Sequence, residues 1–122
     1  MQLKDFYTLN NLIINEELVT ANITINKNHD IFKGHFPGNP VTPGVCMMQI
    51  IKEITEEVVG NKLMMSSSSN IKFMAIINPE ITPDLELTLE ITKTNDSYKV
   101  KNSTMFNNTV ALKLISNFVK IS

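Results

Sequence analysis

This chain has no tryptophan and no arginine, and only one cysteine. All eleven basic residues are lysines, set against twelve acidic ones for a formal net charge of -1. Without arginine forks or a basic surplus, the composition excludes nucleic acid as an expected partner. Cys46 stands alone, so no internal disulfide is expected, and no Cys/His group has the spacing of a zinc site. No apolar run approaches the roughly 20 residues that span a bilayer. The opening MQLKDFYTLNNLIINEE lacks the basic start and apolar block of a signal peptide, which makes the cytoplasm the expected compartment. At 122 residues the chain fits one domain, taken here as 1–122.

Glycine and proline are also scarce, but they are concentrated. Three of the four glycines and three of the five prolines lie between Gly34 and Gly44. Each proline fixes its own φ and biases the residue before it toward extended backbone, so this loop has few conformations open to it. It holds His35 and runs directly into an apolar pattern of helical period. Thr42 before Pro43 predicts an N-cap followed by proline at the first helical position. The helix is expected from Pro43 to Val59, with Gly60 as its stop. Met47, Ile50, Ile51, Ile54 and Val58 form its apolar stripe; Gln49, Lys52, Glu53, Glu56 and Glu57 form the other face. Cys46 and Met48 make the first turns apolar almost all round, as in a helix enclosed on several sides. A rigid loop, a histidine and a helix N-terminus together make a catalytic arrangement.

Elsewhere the pattern is mostly of period two. Leu3, Phe6, Leu9 and Leu12 have helix-like spacing, predicting a short helix or turn within residues 1 to 17. Leu18 to Asn26 alternates as a half-buried strand, and Lys27 to Asp30 is a polar turn. Met64 to Ile77 reads as strand interrupted by the run Ser66 to Ser69, for which a flexible loop is the competing reading. Asn78 to Asp84, with Pro79 and Pro83, is a turn. Leu85 to Thr92 alternates without a fault, and Asn95-Asp96-Ser97 turns the chain into Tyr98 to Phe106. Asn107-Asn108 fits a two-residue type I′ hairpin turn, because asparagine tolerates positive φ. Thr109 to Val119 is the last strand. One helix among antiparallel strands makes this an α+β domain whose sheet must curl round the helix.

The segment His35-Phe36-Pro37-Gly38-x-Pro40-x-x-Pro43-Gly44-Val45 resembles the signature of the 3-hydroxyacyl-acyl-carrier-protein dehydratases of type II fatty acid synthesis. Asn70-Ile71-Lys72-Phe73, with Pro79 and Pro83-Asp84, loosely resembles the second block of that family, and the likeness extends over about residues 18 to 119. It implies the hotdog fold, a curled antiparallel sheet wrapped around one long central helix. It also implies a lyase that converts a 3-hydroxyacyl thioester to a trans-2-enoyl thioester without metal or cofactor. In that reading His35 handles the α-proton, and a backbone N–H at Gly44 or Val45 polarises the thioester carbonyl. Phe36 and Phe73 join those two glycine-side positions in binding substrate. The family's acid falls fourteen residues after the histidine, which is Gln49 here, and glutamine has no proton to give. Four residues on, where the family usually has glutamine, stands Glu53. The pair is exchanged, and positions i and i+4 share a helix face about 6 Å apart along the axis. Gln49 and Glu53 are therefore the catalytic candidates beside His35, with a solvated or interface carboxylate as the competing reading of Glu53.

The resemblance further implies a homodimer, since the family builds each site from both protomers, and an acyl carrier protein as the partner that presents the chain. A non-catalytic acyl-binding or heterodimer subunit, and a thioesterase of the same fold, are the alternatives. Higher oligomers and a heterodimer stay open. His29 reads as a surface residue and Cys46 as core. Met47, Met48, Met64, Met65 and Met74 suit either an acyl tunnel or ordinary core. Lys33 and Lys72 are candidates for contact with the acidic carrier or its pantetheine phosphate.

Overall fold

The computed structural model describes residues 3–34 and 40–121. Its elements are β1 (Tyr7–Asn15), β2 (Leu18–Ile25), a 3-10 turn (Asp30–Gly34), α1 (Gly44–Val59), β3 (Leu63–Phe73), β4 (Asp84–Thr94), β5 (Ser97–Phe106) and β6 (Thr109–Lys120). The six strands form one antiparallel sheet in the order β1-β2-β4-β5-β6-β3, which leaves β1 and β3 at its edges.

The core is built by alternation on one face of the sheet. Val19, Ala21, Ile23 and Ile25 of β2, Leu85, Leu87, Leu89 and Ile91 of β4, and Leu112, Leu114 and Phe118 of β6 are all buried. Against them α1 buries Cys46, Met47, Ile50, Ile51, Ile54 and Thr55. Val58, expected in that stripe, is only half-buried beside the core. Gly60 ends the helix in the left-handed conformation, φ 74°, and its N–H donates to the Glu56 carbonyl at 2.9 Å. Glu56 then ties the helix to the next element, accepting the Leu63 N–H on Oε2 at 2.8 Å. At the β5–β6 turn Asn107 and Asn108 both have positive φ, 47° and 60°, as a type I′ turn requires.

The N-terminal helix expected within residues 1 to 17 is instead strand β1. The reason is a bulge: Leu9 pairs with Ile23 and Leu12 with Ala21, while Asn10 is the extra residue between Leu9 and Asn11. An extra residue turns a period of two into a spacing of three on one face, which imitates a helix. The helix start also differs by one residue. Pro43, not Thr42, is the N-cap, and no side chain caps the helix. Thr42 is drawn inward instead: its N–H donates to the Ile77 carbonyl at 2.8 Å, and its buried Oγ1 has no partner among the described residues. The serine run is strand, not loop, and it is mostly exposed on edge strand β3, which ends at Phe73 rather than Ile77. Bulges flank it, between Met65 and Ser67 and between Ser69 and Lys72. His29 is half-buried rather than a plain surface residue. The Ile31 N–H donates to its Nδ1 at 3.1 Å, its Nε2 meets the Lys4 carbonyl at 2.9 Å, and its ring stands edge-on to Phe6.

Candidate active site

The first turn of α1 has two N–H groups, those of Gly44 and Val45, with no acceptor inside the helix, as at any helix start. Cys46 and Met47 donate to the Pro43 carbonyl at 3.0 and 3.3 Å. No acidic side chain stands in that first turn, so its positive end is not neutralised from within the helix. The Phe73 ring lies directly over this point. A Cβ placed on Gly44 would fall 2.5 Å from Phe73 Cζ and 2.9 Å from Cε1. Glycine is what lets the ring, itself 61% exposed, approach the helix backbone.

Further along the same helix, Gln49 Nε2 donates to Glu53 Oε2 at 2.9 Å. The other carboxylate oxygen, Oε1, accepts a hydrogen bond from the Tyr7 hydroxyl of β1, also at 2.9 Å. Glu53 is thus held between an amide from its own helix and a phenol from the far edge strand. Burial, the hydrogen bond to Glu53, and the charges of Glu53, Glu57 and Glu56 push the Tyr7 phenol well above its ordinary range, so it is an obligate donor. Each carboxylate oxygen keeps a second lone pair for a water or a substrate hydroxyl.

These groups line connected grooves. One, of about 370 Å³, runs past Val45, Met48, Gln49, Lys52, Met64 and Met65. The other, of about 960 Å³, opens on Tyr7, Gln49, Glu53, Glu56 and Glu57. Gln49, Lys52, Leu63 and Ile121 belong to both, so the two grooves are neighbours on the surface. Of the methionines, Met48, Met64 and Met65 line the first, Met47 lies in the core, and Met74 is exposed. Cys46 is buried, and burial pushes its thiol up from the ordinary value, as befits a core residue. Lys33 is ion-paired with Asp30 at 3.0 Å, while Lys72 is exposed on β3.

The structure thus brings Phe73 to Gly44 at the start of α1, and Gln49 to Glu53 further along it, while Val45 and Gln49 line one groove. His35 and Phe36 lie outside the described residues. Tyr7 is the site residue that the sequence reading missed: 46 positions separate it from Glu53, and no local spacing signals the contact.

The ApeI-like family, described as ApeI dehydratase, matches residues 12–111. Among curated relatives, a 3-hydroxyacyl-[acyl-carrier-protein] dehydratase FabZ of Lactobacillus helveticus is 32% identical over 83 residues, covering 62% of this chain and 55% of the relative. The corresponding protein of Ligilactobacillus salivarius is 34% identical over 92 residues, covering 69% of this chain and 64% of its own length. The chain thus spans little more than half of the first of these relatives. Among solved structures, the dehydratase heterocomplex ApeI:P of Xenorhabdus doucetiae superimposes with a TM-score of 0.69 at 17% identity, covering 87% of this chain and 90% of that one. A sigma28-regulated virulence protein of Campylobacter jejuni gives the same TM-score at 10% identity, over 100% of this chain and 88% of its own. An antiparallel sheet around one helix, a matching fold and a family match over most of its length agree: the chain belongs to the ApeI-like dehydratase family and has the hotdog fold.

Proposed function

We propose that this protein is a 3-hydroxyacyl-thioester dehydratase whose acid has moved one helical turn, from position 49 to Glu53. The observation that carries this is the hydrogen-bonded set Tyr7–Glu53–Gln49, which holds a carboxylate in a groove that neighbours the one lined by Val45. The thioester carbonyl lies against the Gly44 and Val45 N–H groups, where positive potential stabilises a developing enolate. His35 removes the α-proton, the Cα–Cβ double bond forms, and the β C–O bond breaks. Glu53 delivers its proton to the departing oxygen, directly or through one water, so that water leaves and the trans-2-enoyl thioester remains. The proton gained by His35 returns to Glu53 through solvent, which restores both groups. In hydration the roles reverse, and the reaction starts from ionised Glu53, with donors on both its oxygens. Phe36 and Phe73 flank the acyl thioester.

The substrate arrives on an acyl carrier protein in the cytoplasm, and the enzyme works as a homodimer. Association is supported by the unpaired edge of β3 and by the exposed Val45, Ile71, Phe73, Met74 and Ile76 around it. A second copy seated there covers Phe73. The resemblance to FabZ proteins supports the carrier; Lys72 on β3 is suitably exposed to meet its acidic surface, whereas Lys33 is already paired.

The test is hydration of a trans-2-enoyl thioester on acyl carrier protein, followed by loss of enoyl absorbance. Turnover that His35→Ala and Glu53→Gln both abolish is expected; turnover unaffected by Glu53→Gln sinks the relocated acid. A second reading, a partner subunit without chemistry of its own, is favoured by one observation: position 49 holds an amide, and that amide is spent on Glu53. It predicts no turnover in the native chain and turnover in Gln49→Glu.

A further inference from the structure

Tyr7 is half-buried at the start of β1, and its hydroxyl spans the groove to the third turn of α1. Resting on the reading of Glu53 above, we infer that Tyr7 is a positioning residue of the reaction: it fixes the Glu53 carboxylate from the side opposite Gln49. Three features of the geometry support this. First, the two donors take different oxygens of Glu53, so together they fix both its direction and the rotation of its carboxylate plane. Gln49 alone would leave that rotation free. Second, α1 supplies no backbone donor at this level, because every N–H beyond its first turn is used in the i→i−4 ladder. A carboxylate placed there depends on side-chain donors, here Gln49 of the same helix and Tyr7 of β1. Third, the phenol is poorly solvated and faces acidic neighbours, which keep it a donor throughout the working pH range.

The charged groups around Glu53 are Glu56, Glu57 and Lys52 on the same helix, Lys4 just ahead of β1, and Lys62 just ahead of β3. The three lysines can offset part of the negative charge, but none of them is hydrogen-bonded to Glu53. Among the described residues, the direct donors to Glu53 are Gln49 and, from β1, Tyr7.

Tyr7→Phe removes one hydroxyl and keeps the ring. The variant is expected to hydrate the enoyl thioester about 10- to 100-fold more slowly, the scale of a hydrogen bond to a charged group. A residue that merely supports the fold would lower the rate only in proportion to the folded fraction, which is expected to be unchanged here.

A measurement without turnover separates this inference from the reading beneath it. Carbon-13 observation of the Glu53 carboxyl in the full chain is expected to show its resonance displaced in Tyr7→Phe, because one oxygen has lost its donor. An unmoved resonance, an unchanged rate, or a rate loss no greater than the loss of folded protein overturns the role of Tyr7. Unfolding of Tyr7→Phe at the assay temperature overturns it too, since Tyr7 would then serve the fold. Unchanged turnover in Glu53→Gln overturns the relocated acid and the catalytic part of this inference with it, while a displaced resonance in Tyr7→Phe still records the Tyr7–Glu53 bond.

Discussion

Replacing Gly44 with alanine should separate the chemistry of this site from its stability. The new Cβ would meet Phe73 Cζ at 2.5 Å and Cε1 at 2.9 Å, so the ring must move by about 1 Å to restore ordinary contact. That movement costs little. Phe73 is 61% exposed at the end of an edge strand, so less than half of its burial is at stake, about 1 kcal/mol at most. Against this, Gly44 has no positive φ, so alanine fits the backbone and gains about 0.4–1 kcal/mol by restricting the unfolded chain. The two nearly cancel, and the unfolding midpoint should shift by only a few degrees in either direction.

Activity should respond quite differently. The methyl group and the displaced ring both occupy the approach to the Gly44 and Val45 N–H groups. Losing one donor of this kind typically costs 10²- to 10³-fold in turnover, so a fall of roughly 10²-fold is expected. Thermal unfolding and enoyl-thioester hydration on the same preparation check both halves. Gly44→Ala combined with Phe73→Ala removes the ring: if turnover stays low, the methyl is responsible, and if it recovers, the ring is. Unchanged turnover in Gly44→Ala refutes the helix start as the carbonyl's seat. A loss of more than about 2 kcal/mol in stability refutes the claim that the ring is free to move.

Two further outcomes follow from buried polar groups. Ser116 Oγ and Thr42 Oγ1 are buried without partners, so Ser116→Ala and Thr42→Val should each stabilise the fold by about 1 kcal/mol in denaturant titration; a loss of stability in either shows that its hydroxyl is paired. Cys46 is 1% exposed and its thiol lies above its ordinary value because of burial, so thiol reagents should modify it only at the rate of unfolding. A folded-state pKa raised above the unfolded one means that the stability tied to this thiol is whole below its ordinary value and is lost as pH rises beyond it. Rapid labelling of the native protein at neutral pH would contradict the burial.

What could be read from the sequence was what local chemistry decides. The faultless alternation of β4, the paired asparagines before β6 and the left-handed Gly60 each follow from neighbours in the chain, and each is found where expected. Strand β1 was hidden by its own bulge, since Asn10 shifts Leu12 onto the face of Leu9 and so produces a helical spacing. The N-cap at Thr42 was a sound local expectation, outweighed by a long-range bond to Ile77. At the site, the proximity of Gln49 and Glu53 is a matter of four residues on one helix and was legible from that spacing. Tyr7 was not, because its place beside Glu53 is set by the sheet, which brings the first strand against the third turn of the helix.

On the proposed reading, the exchange of carboxyl and amide between positions 49 and 53 has a physical consequence. In either order the pair sits at i, i+4 and the amide donates to the carboxylate, so the bond between them is kept. What changes is the location of the negative charge, which moves about 6 Å away from the helix N-terminus. There the positive end of the dipole favours it less, because that effect fades beyond the first turn. The helix has no spare N–H to offer at the new position, so compensation has to come from another element. Tyr7 supplies it, with a hydroxyl whose surroundings keep it protonated. Gln49, Glu53 and Tyr7 thus form one hydrogen-bonded set, of which an inspection of the helix alone would show only two members.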